Sequence, residues 1–363
     1  MKQFSSKHCV NNRDEDVVHF VNDHLAHSEK VLFVGTVGIQ SNSLYFPQLL
    51  SNSENVSFKF ITEQRPAVSP GLEALGNLHK AELAKMIPED RCEFAAVEII
   101  SSDGATVAGR NATKVALPWL VNQEYKDIVI DATGMSRGTC FPIVRQAMEI
   151  HASTGANIHL LMASSDEPLI KLKTESNSHA DWMHGFQETM DTDSMRNALK
   201  LWVPQLTEDS SAQMNAMFTA LMPLAEVCPI VPFPSSKPRR GDELLFEYFD
   251  AFESQWDATA QNVIYAHEAD PLDVFRSISR MHDARMKVFP GKTQSVTVLS
   301  PAGWRIGSLG MLLAALDLKL PVLYVETMGY TTESKIPESV SAPAPTKLWH
   351  VWLAGVAYDE PVP

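Results

Sequence analysis

The sequence predicts an α/β protein built from two like halves, each with a parallel sheet, related by internal duplication. Apolar, β-branched runs alternate with amphipathic segments of helical length, a pattern typical of parallel sheets covered by helices. Residues 127–139 and 295–308 also repeat one pattern, in which a strand-like run leads through a glycine turn into a helix. We therefore predict an N-terminal half over 1–205 and a C-terminal half over 206–363.

The repeated turn has a defined spacing. Gly134, Gly138 and Thr139 in the first half correspond to Gly303, Gly307 and Ser308 in the second. A Glu-x-x-Pro sequence precedes each turn, beginning at Glu63 and at Glu268. These two glutamates lie at different distances from their glycine turns, which predicts an insertion around residues 69–120 of the first half.

In the first half, continuous apolar runs predict buried parallel strands, and helical periodicity predicts the helices between them. The predicted strands are 30–35, 56–62, 128–132 and 157–163, and the predicted helices are 72–87 and 142–153. Residues 94–101 and 105–109 are predicted to be extended. The polar stretch 164–210 has no assigned role, although a short helix over 195–202 is predicted to end before Pro204.

The second half repeats this alternation. The predicted strands are 227–233, 262–266, 295–299 and 322–327, and the predicted helices are 210–226, 242–256, 272–286 and 308–318. Prolines in 227–233 predict an edge position, because proline cannot donate to a central ladder. The alternating apolar segment 348–353 predicts an added edge strand of this half.

Composition excludes several classes of protein. The 363 residues are 45% hydrophobic and 20% charged, as in ordinary globular proteins, and no apolar run is long enough to span a membrane. The four cysteines form no Cys-x-x-Cys pair, which favours reduced thiols and a cytoplasmic location. The formal charge of −14 argues against an extended nucleic-acid surface, but it permits one small anionic ligand.

Ligands of parallel sheets collect at the carboxyl ends of the strands. Glycines there allow close backbone approach, free amides at a helix N-terminus favour anions, and hydroxyl and guanidinium groups add hydrogen bonds. The candidate ligand-binding residues of the first half are Thr36, Gly38, Gln40, Thr133, Gly134, Ser136, Arg137, Gly138 and Thr139. Those of the second half are Ser235, Ser236, Lys237, Arg240, Gly303, Trp304, Arg305, Gly307 and Ser308. We expect these loops to converge on one cleft, with Trp304 either stacking on the ligand or packing.

Candidates for catalysis are fewer. Glu268, His267 and Arg240 are the candidates for an acid–base set. Glu63 and Glu268, at strand ends before proline, could bind a ribose hydroxyl or act as general bases, but an acidic turn or helix cap is the favoured interpretation of both. Adjacent residues of a strand point to opposite faces, which weakens His267 and Glu268 as a pair. His179 and His184 are spaced loosely like metal ligands, but no third group of ligands completes a metal site. We expect no metal and no cofactor.

Two motifs carry a family resemblance. The segment from Phe33 to Gly38 resembles the first ligand-loop motif of CARF domains, and the segment from Ile130 to Thr139 resembles their second. CARF domains are Rossmann-like sensors of cyclic oligonucleotides in prokaryotic immunity, and SAVED domains look like two CARF units fused in one chain. The resemblance covers residues 30–165 and 227–330. It implies two Rossmann-like (CARF-like) halves, with Arg137 or Arg305 in the place of the usual basic residue.

Three functions stay open at this point. The first, which we favour, is a nucleotide-binding sensor or regulatory protein of a prokaryotic antiviral defence system, acting on a protein partner or effector subunit. The second is an enzyme on the same scaffold, either a cyclic-nucleotide phosphodiesterase or a nucleotide transferase. The third is a non-catalytic architectural subunit of a multi-protein defence complex.

Overall fold

The computed structural model describes residues 3–187, 198–222, 225–256, 262–289 and 295–359. The chain divides into two compact units. Unit 1 comprises Met1–Glu175 and Thr327–Pro363, and unit 2 comprises Ser176–Glu326. The chain therefore enters unit 2 about thirty residues before the predicted boundary at 205 and returns to unit 1 at its C-terminal end.

Unit 1 contains ten strands and five helices within its described residues. The strands are β1 (Asn11–Arg13), β2 (Val31–Thr36), β3 (Val56–Gln64), β4 (Ala67–Val68), β5 (Cys92–Glu98), β6 (Asp127–Asp131), β7 (Asn157–Ser164), β8 (Lys173–Ser176), β16 (Thr327–Thr331) and β17 (Lys347–Ala354). The helices are α1 (Glu15–Asp23), α2 (Tyr45–Leu50), α3 (Pro70–Met86), α4 (Ala108–Leu120) and α5 (Arg137–Thr154). Short 3-10 helices cover Leu25–His27, Ser41–Leu44, Glu89–Arg91 and Val356–Tyr358.

The main sheet of unit 1 has seven strands in the order β1-β17-β7-β6-β2-β3-β5. The five strands from β7 to β5 are parallel, whereas β17 is antiparallel to both β7 and β1. From β2 the chain winds outward through β3 to β5, and from β6 it winds the other way to β7. The winding therefore reverses between β2 and β6, which is where open α/β sheets form a crevice at the carboxyl ends of their strands.

The sequence of β2 explains its central place. Every residue from Val31 to Thr36 is buried, as expected of a parallel strand covered on both faces. On one face, Phe33 packs against Phe58 and Phe60 of β3 in a core that also includes residues of α1 and α2. Full burial of one such side chain contributes about 1.5–3 kcal/mol, so this cluster fixes the register of the two strands.

Unit 2 contains seven strands and five helices within its described residues. The strands are β9 (Asp181–Trp182), β10 (Leu199–Pro204), β11 (Ala225–Val227), β12 (Ile230–Pro232), β13 (Ile264–Ala266), β14 (Ser295–Ser300) and β15 (Leu323–Tyr324). The helices are α6 (Ser211–Leu221), α7 (Arg240–Glu247), α8 (Phe249–Ser254), α9 (Pro271–Val288) and α10 (Arg305–Leu318).

The strands of unit 2 form short parallel ladders. One ladder has the order β11-β10-β14, a second pairs β12 with β13, and β15 pairs antiparallel with β9. Parallel bridges from Gln205 to Ile230 and from Leu299 to Val322 link these ladders. When the ladders are joined through these bridges, the strands lie in the order β13, β12, β10, β14, β15 and β9. β11 pairs with β10 on the same side as β12. Trp202 and Trp256 meet edge to face in the core, with ring centroids 5.4 Å apart.

The structure confirms a mixed α/β fold with a mostly parallel sheet. Residues 199–202 of the predicted helix 195–202 instead belong to β10, because pairing with β11 and β14 overrides a weak local preference. The remainder of that predicted helix, 195–197, lies outside the described residues. Residues 105–109 were expected to be extended, but α4 begins among them at Ala108.

Two further segments lie in other places than expected. The segment 348–353 belongs to β17, which is between β1 and β7 in unit 1 and is not an edge strand of the second half. Residues 69–120, expected as an insertion, form α3, β5 and α4, and β5 continues the main sheet beside β3. These residues are therefore ordinary helices and a strand of the unit 1 fold. Among the described helices, none is long and apolar enough to cross a membrane.

Candidate functional site

Two glycine turns meet where β2 and β6 end. A Cβ atom added to Gly38 would lie 3.3 Å from the Cα of Gly134. One added to Gly134 would lie 2.9 Å from the carbonyl oxygen of Thr36 and 3.4 Å from the Cα of Gly38. Glycine is therefore required at both positions for the backbones to approach this closely. We call the region formed by Thr36, Gly38, Thr133, Gly134 and Ser136 the β2–β6 crevice.

Thr133 holds the β6 turn in place. Its backbone N–H donates to Oδ1 of Asp131 at 2.9 Å, and its hydroxyl also donates to this oxygen. The same hydroxyl accepts a hydrogen bond from the backbone N–H of Ala163 at 2.9 Å. Asp131 and Thr133 are both buried. The Thr133 hydroxyl is therefore engaged within the protein, and it positions the turn.

Glu63, at the end of β3, binds the start of α5. Its Oε1 accepts from the backbone N–H of Ser136 at 3.0 Å, and its Oε2 accepts from Arg65 at 2.8 Å. Ser136 in turn donates through its hydroxyl to that of Thr139. Burial alone would raise the pKa of Glu63, but the Arg65 guanidinium and the hydrogen bonds hold it below its ordinary value. An anionic side chain from β3 thus fixes the β6 turn.

The β2 side of the crevice is held by a buried histidine. Nδ1 of His79, on α3, lies 2.7 Å from the carbonyl oxygen of Gly38, so the ring carries its proton on Nδ1 and donates it. Burial lowers the pKa of His79, which keeps the ring neutral. Gln40 donates through Nε2 to the carbonyl oxygen of Ile170 at 2.6 Å. Gln40 is therefore engaged away from the glycine turns.

Thr36 differs from these residues. It is 4% exposed, and its Oγ1 has no hydrogen-bond partner among the residues that the structure describes. Burying a hydroxyl without a partner is unfavourable by about 1–3 kcal/mol, so such a group at the end of a central strand requires an explanation. Arg137, the first residue of α5, is half-buried near the same turn.

In unit 2 the glycine turn after β14 is filled by a side chain that the sequence did not indicate. Gln205 is fully buried, and its Oε1 accepts from the backbone N–H of Gly303 at 3.1 Å and from the hydroxyl of Ser308 at 3.0 Å. Its Nε2 donates to the carbonyl oxygen of Trp304 at 3.0 Å. A Cβ atom on Gly307 would lie 2.3 Å from that nitrogen. Glycine is needed here to admit the amide of Gln205.

Trp304 packs on its own helix. A Cβ atom on Gly307 would lie 2.5 Å from Cε2 of the indole, so the ring covers the first turn of α10. Trp304 is half-buried, and the neighbouring Arg305 is exposed. The packing alternative weighed for Trp304 is the one that the geometry supports.

Ser235, Ser236 and Arg240 assemble around Glu268 in the loop after β12. Oε2 of Glu268 accepts from the hydroxyl of Ser235 at 2.9 Å and from the N–H and hydroxyl of Ser236, both at 2.8 Å. Oε1 accepts from Arg240 at 2.8 Å. Burial would raise the pKa of Glu268, but Ser236, Ser235 and Arg240 hold it below its ordinary value. A carboxylate held in this way is a weak general base at neutral pH.

The other catalytic candidate lies outside this cluster of contacts. The His267 ring is exposed, and its Nδ1 accepts from the backbone N–H of Ala269 at 3.0 Å. Its own backbone N–H donates to Asp273. Lys237 is also exposed. His267 therefore closes its own turn, whereas Arg240 contacts Glu268 directly.

No family model matches the chain, and no curated protein matches it. Among solved structures it is similar to a putative universal stress protein from Pseudomonas aeruginosa UCBPP-PA14, at 10% identity, 84% coverage of this chain, 95% of that chain and a TM-score of 0.24. It is also similar to the cytoplasmic domain of a prokaryotic cation chloride cotransporter, at 10% identity, 82% and 95% coverage and a TM-score of 0.25. Scores this low carry no argument about function.

Proposed function

We propose that the protein binds a small anionic ligand of the nucleotide class at the β2–β6 crevice and acts as a sensor. The observation that carries the proposal is the meeting of Gly38 and Gly134 at the reversal of the sheet, beside a Thr36 hydroxyl without a described partner. Glycine turns at this place let a ligand approach the backbone, and a bound ligand supplies the partner that Thr36 lacks.

The charges around the crevice favour a ligand with two kinds of polar group. The 18-residue helix α5 begins at Arg137, so its N-terminal amides and dipole favour a phosphate there. The Glu63 carboxylate already accepts the backbone N–H of Ser136, so it repels a phosphate from that N–H. It can, however, accept a hydrogen bond from a ligand hydroxyl. A phosphate joined to a sugar satisfies both requirements, whereas inorganic phosphate satisfies one.

Strand order supports the proposed duplication into two Rossmann-like halves. In unit 1 the parallel strands lie as β5-β3-β2-β6-β7, and in unit 2 the bridged order is β13-β12-β10-β14-β15. When only these five strands of each series are numbered in chain order, each order reads third, second, first, fourth and fifth, with β11 counted together with β12. Each glycine turn follows the fourth strand of its series. Glu63 ends a second strand and Glu268 follows a third, so these two glutamates are not equivalent.

This arrangement is the one implied by the resemblance to CARF and SAVED domains. It supports a cyclic oligonucleotide as the ligand and a role in antiviral defence, with the signal passed to a protein partner. Because Gln205 fills the turn of unit 2, we place the ligand in unit 1.

The test is a calorimetric titration of the purified protein with mononucleotides and with cyclic di-, tri- and tetranucleotides. We expect saturable binding of one member, weakened about fivefold to tenfold in Thr36→Val, since one hydrogen bond is lost. Thr106→Val is the matched control, because Thr106 also buries a hydroxyl without a described partner but lies beyond β5. No binding across the panel, or equal affinity in Thr36→Val, would contradict the proposal.

A second pair of variants tests the charge. Arg137→Ala, at the start of α5, should weaken binding of the phosphate-bearing ligand more strongly as the salt concentration is lowered. Arg145→Ala removes a guanidinium from the same helix that pairs with Glu149, and it should leave affinity unchanged. Equal losses in the two variants would indicate a general effect of charge, and not a site at the N-terminus of α5.

A further inference from the structure

Three potential metal ligands from distant segments of unit 1 meet at the amino end of β6. Nε2 of His24 lies 3.2 Å from Oδ1 of Asp127, and Nε2 of His159 lies 2.9 Å from the same oxygen. All three ligand atoms lie within 4.8 Å of one another. In sequence, His24 is 103 positions and His159 is 32 positions from Asp127, so no spacing motif announces the cluster.

The cluster is separate from the β2–β6 crevice. Asp127 is the first residue of β6, whereas the crevice follows its last residue, Asp131. His159 lies near the start of the parallel neighbour β7, and His24 follows α1. The cluster thus lies at the end of the sheet opposite the glycine turns, and the proposed sensor function does not use it.

A rigid polar shell orients the three side chains. Nδ1 of His159 lies 3.1 Å from Nε2 of His350, whose Nδ1 lies 3.0 Å from the amide nitrogen of Asn12. Asn157 donates to Oδ1 of Asp127 at 2.8 Å, and Ser28 donates to its Oδ2. Hydrogen bonds of this kind to the second nitrogen of a histidine and to a carboxylate are typical of metal sites, where they fix the ligand atoms.

Aromatic rings pack against this shell. Phe20 stacks on His350 with ring centroids 3.7 Å apart, and Trp352 meets His159 edge to face at 4.6 Å. The side chains of Asp127 and His159 are 2% and 0% exposed, whereas that of His24 is 36% exposed. The cluster therefore has two buried ligands and one ligand at the solvent boundary, which provides an entry path.

We propose that His24, Asp127 and His159 bind one divalent transition-metal ion through two imidazole nitrogens and one carboxylate oxygen, with solvent completing the coordination. Two nitrogen ligands disfavour Mg²⁺ and Ca²⁺, which take oxygen ligands, and favour ions such as Zn²⁺. A triad of two histidines and one carboxylate with open positions is an established arrangement for such ions.

Binding requires a change of tautomer and no change of charge on the rings. Without metal, Nε2–H of His159 donates to Asp127, and its Nδ1 accepts from His350. With metal, the lone pair of Nε2 binds the ion, and the proton lies on Nδ1, from which it donates to His350. The His350 proton then lies on Nδ1 and faces Asn12, whose amide offers an oxygen after rotation.

The test uses the full-length protein after removal of metal with a chelator. Zn²⁺ is titrated in competition with a chromophoric chelator, and Co²⁺ is titrated with detection of its visible d–d absorption. We expect one equivalent of either ion to bind. His24→Ala should lower the Zn²⁺ affinity at least about a hundredfold, since changes in the outer shell alone lower it about 10–100-fold.

His24 is chosen because its partial exposure allows removal without opening the core. His19→Ala is the matched control, since His19 is an exposed histidine of α1. The Zn²⁺ affinity of this variant should equal that of wild type. Asp127→Asn is the second variant and should also lose the Co²⁺ absorption. The proposal is overturned if folded wild-type protein binds no equivalent of Zn²⁺ or Co²⁺, or if His24→Ala binds as tightly as His19→Ala.

Discussion

The side-chain oxygen of Gln205 accepts a hydrogen bond from the backbone N–H of Gly303, so the residue that follows β10 fills the turn that follows β14. A glycine turn before a helix is usually considered as a place for a ligand. Here the turn contains an amide of the protein itself, bonded also to Ser308 and Trp304. In unit 2 the glycine turn is therefore occupied by the side chain of Gln205.

Gln205→Ala should destabilise unit 2 by about 1–3 kcal/mol, because the N–H of Gly303 and the hydroxyl of Ser308 lose their shared acceptor in a buried place. The free energy of unfolding from urea titrations measures the effect. Gln255→Ala, at an exposed glutamine of the same unit, should change it by less than about 0.5 kcal/mol. Equal effects of the two substitutions would contradict the filling of the turn by Gln205.

Sequence reasoning identifies the elements that buried parallel strands define. The runs at β2 and β6 are continuous and apolar, so they can be read without knowledge of their partners. β10 could not be read in this way, since the alternation of Leu199, Lys200 and Leu201 is short and ambiguous. Its strand character comes from β11 and β14, which pair with it from distant parts of the chain.

The occupants of the turns were also beyond sequence reasoning. The glycines at 134 and 303 mark the turns, but Glu63 reaches the first from β3, and Gln205 reaches the second from the position after β10. Which side chain arrives there depends on the order of strands in the sheet, which local patterns do not encode. His24, Asp127 and His159 are a stronger example, because each is unremarkable in its own segment.

Gly134→Ala should destabilise unit 1 by about 1–3 kcal/mol, because the new Cβ would lie 2.9 Å from a backbone oxygen that cannot move freely. Gly76→Ala in α3 is the control, since its Cβ would meet nothing within 4 Å and alanine favours a helix by about 0.5–1 kcal/mol. Thermal and urea unfolding should show opposite signs for the two variants. A neutral Gly134→Ala would mean that the two turns do not approach as described.

Thr36→Val and Thr133→Val should differ although the substitution is the same. Thr133→Val removes the acceptor of the Ala163 N–H and a donor to Asp131, which should destabilise by about 1–3 kcal/mol. Thr36→Val removes a buried hydroxyl without a described partner, so stability without ligand should be unchanged or increased. Urea titrations of both variants without nucleotide compare them directly, and a loss in Thr36→Val equal to that in Thr133→Val would show a structural role for Thr36.

The buried ring of His79 should make stability depend on pH. Its folded pKa is lowered from 6.5 by burial, so below that value the unfolded state binds more protons and stability is lost as pH falls. His79→Asn keeps an N–H for the carbonyl of Gly38 but does not titrate. The difference in unfolding free energy between wild type and His79→Asn should therefore be constant above about pH 7.5. Between there and pH 5.5, wild type should lose stability relative to His79→Asn, by about 1.4 kcal/mol for each pH unit at most. A difference that does not change with pH would contradict a neutral buried ring.

Glu268→Gln should destabilise unit 2 by about 1.5–3 kcal/mol at pH 7, although the side chain keeps its shape. Ser235, Ser236 and Arg240 all donate to the two carboxylate oxygens, so an amide nitrogen at either position faces a donor. Urea unfolding and amide hydrogen exchange over residues 234–240 measure the loss. Glu243→Gln, at an exposed glutamate of α7, is the control and should be neutral.

The pH dependence of the Glu268→Gln effect decides what this carboxylate does. Its folded pKa is lowered from 4.5, so its contribution is present above that pH and is lost as pH falls through the folded value. The difference in unfolding free energy between wild type and Glu268→Gln should therefore disappear as the solution is acidified below about pH 4.5. If wild type and Glu268→Gln have equal unfolding free energies at pH 7, Arg240 and the serines do not hold the carboxylate as an ion. Glu268 would then be a stronger candidate for a general base.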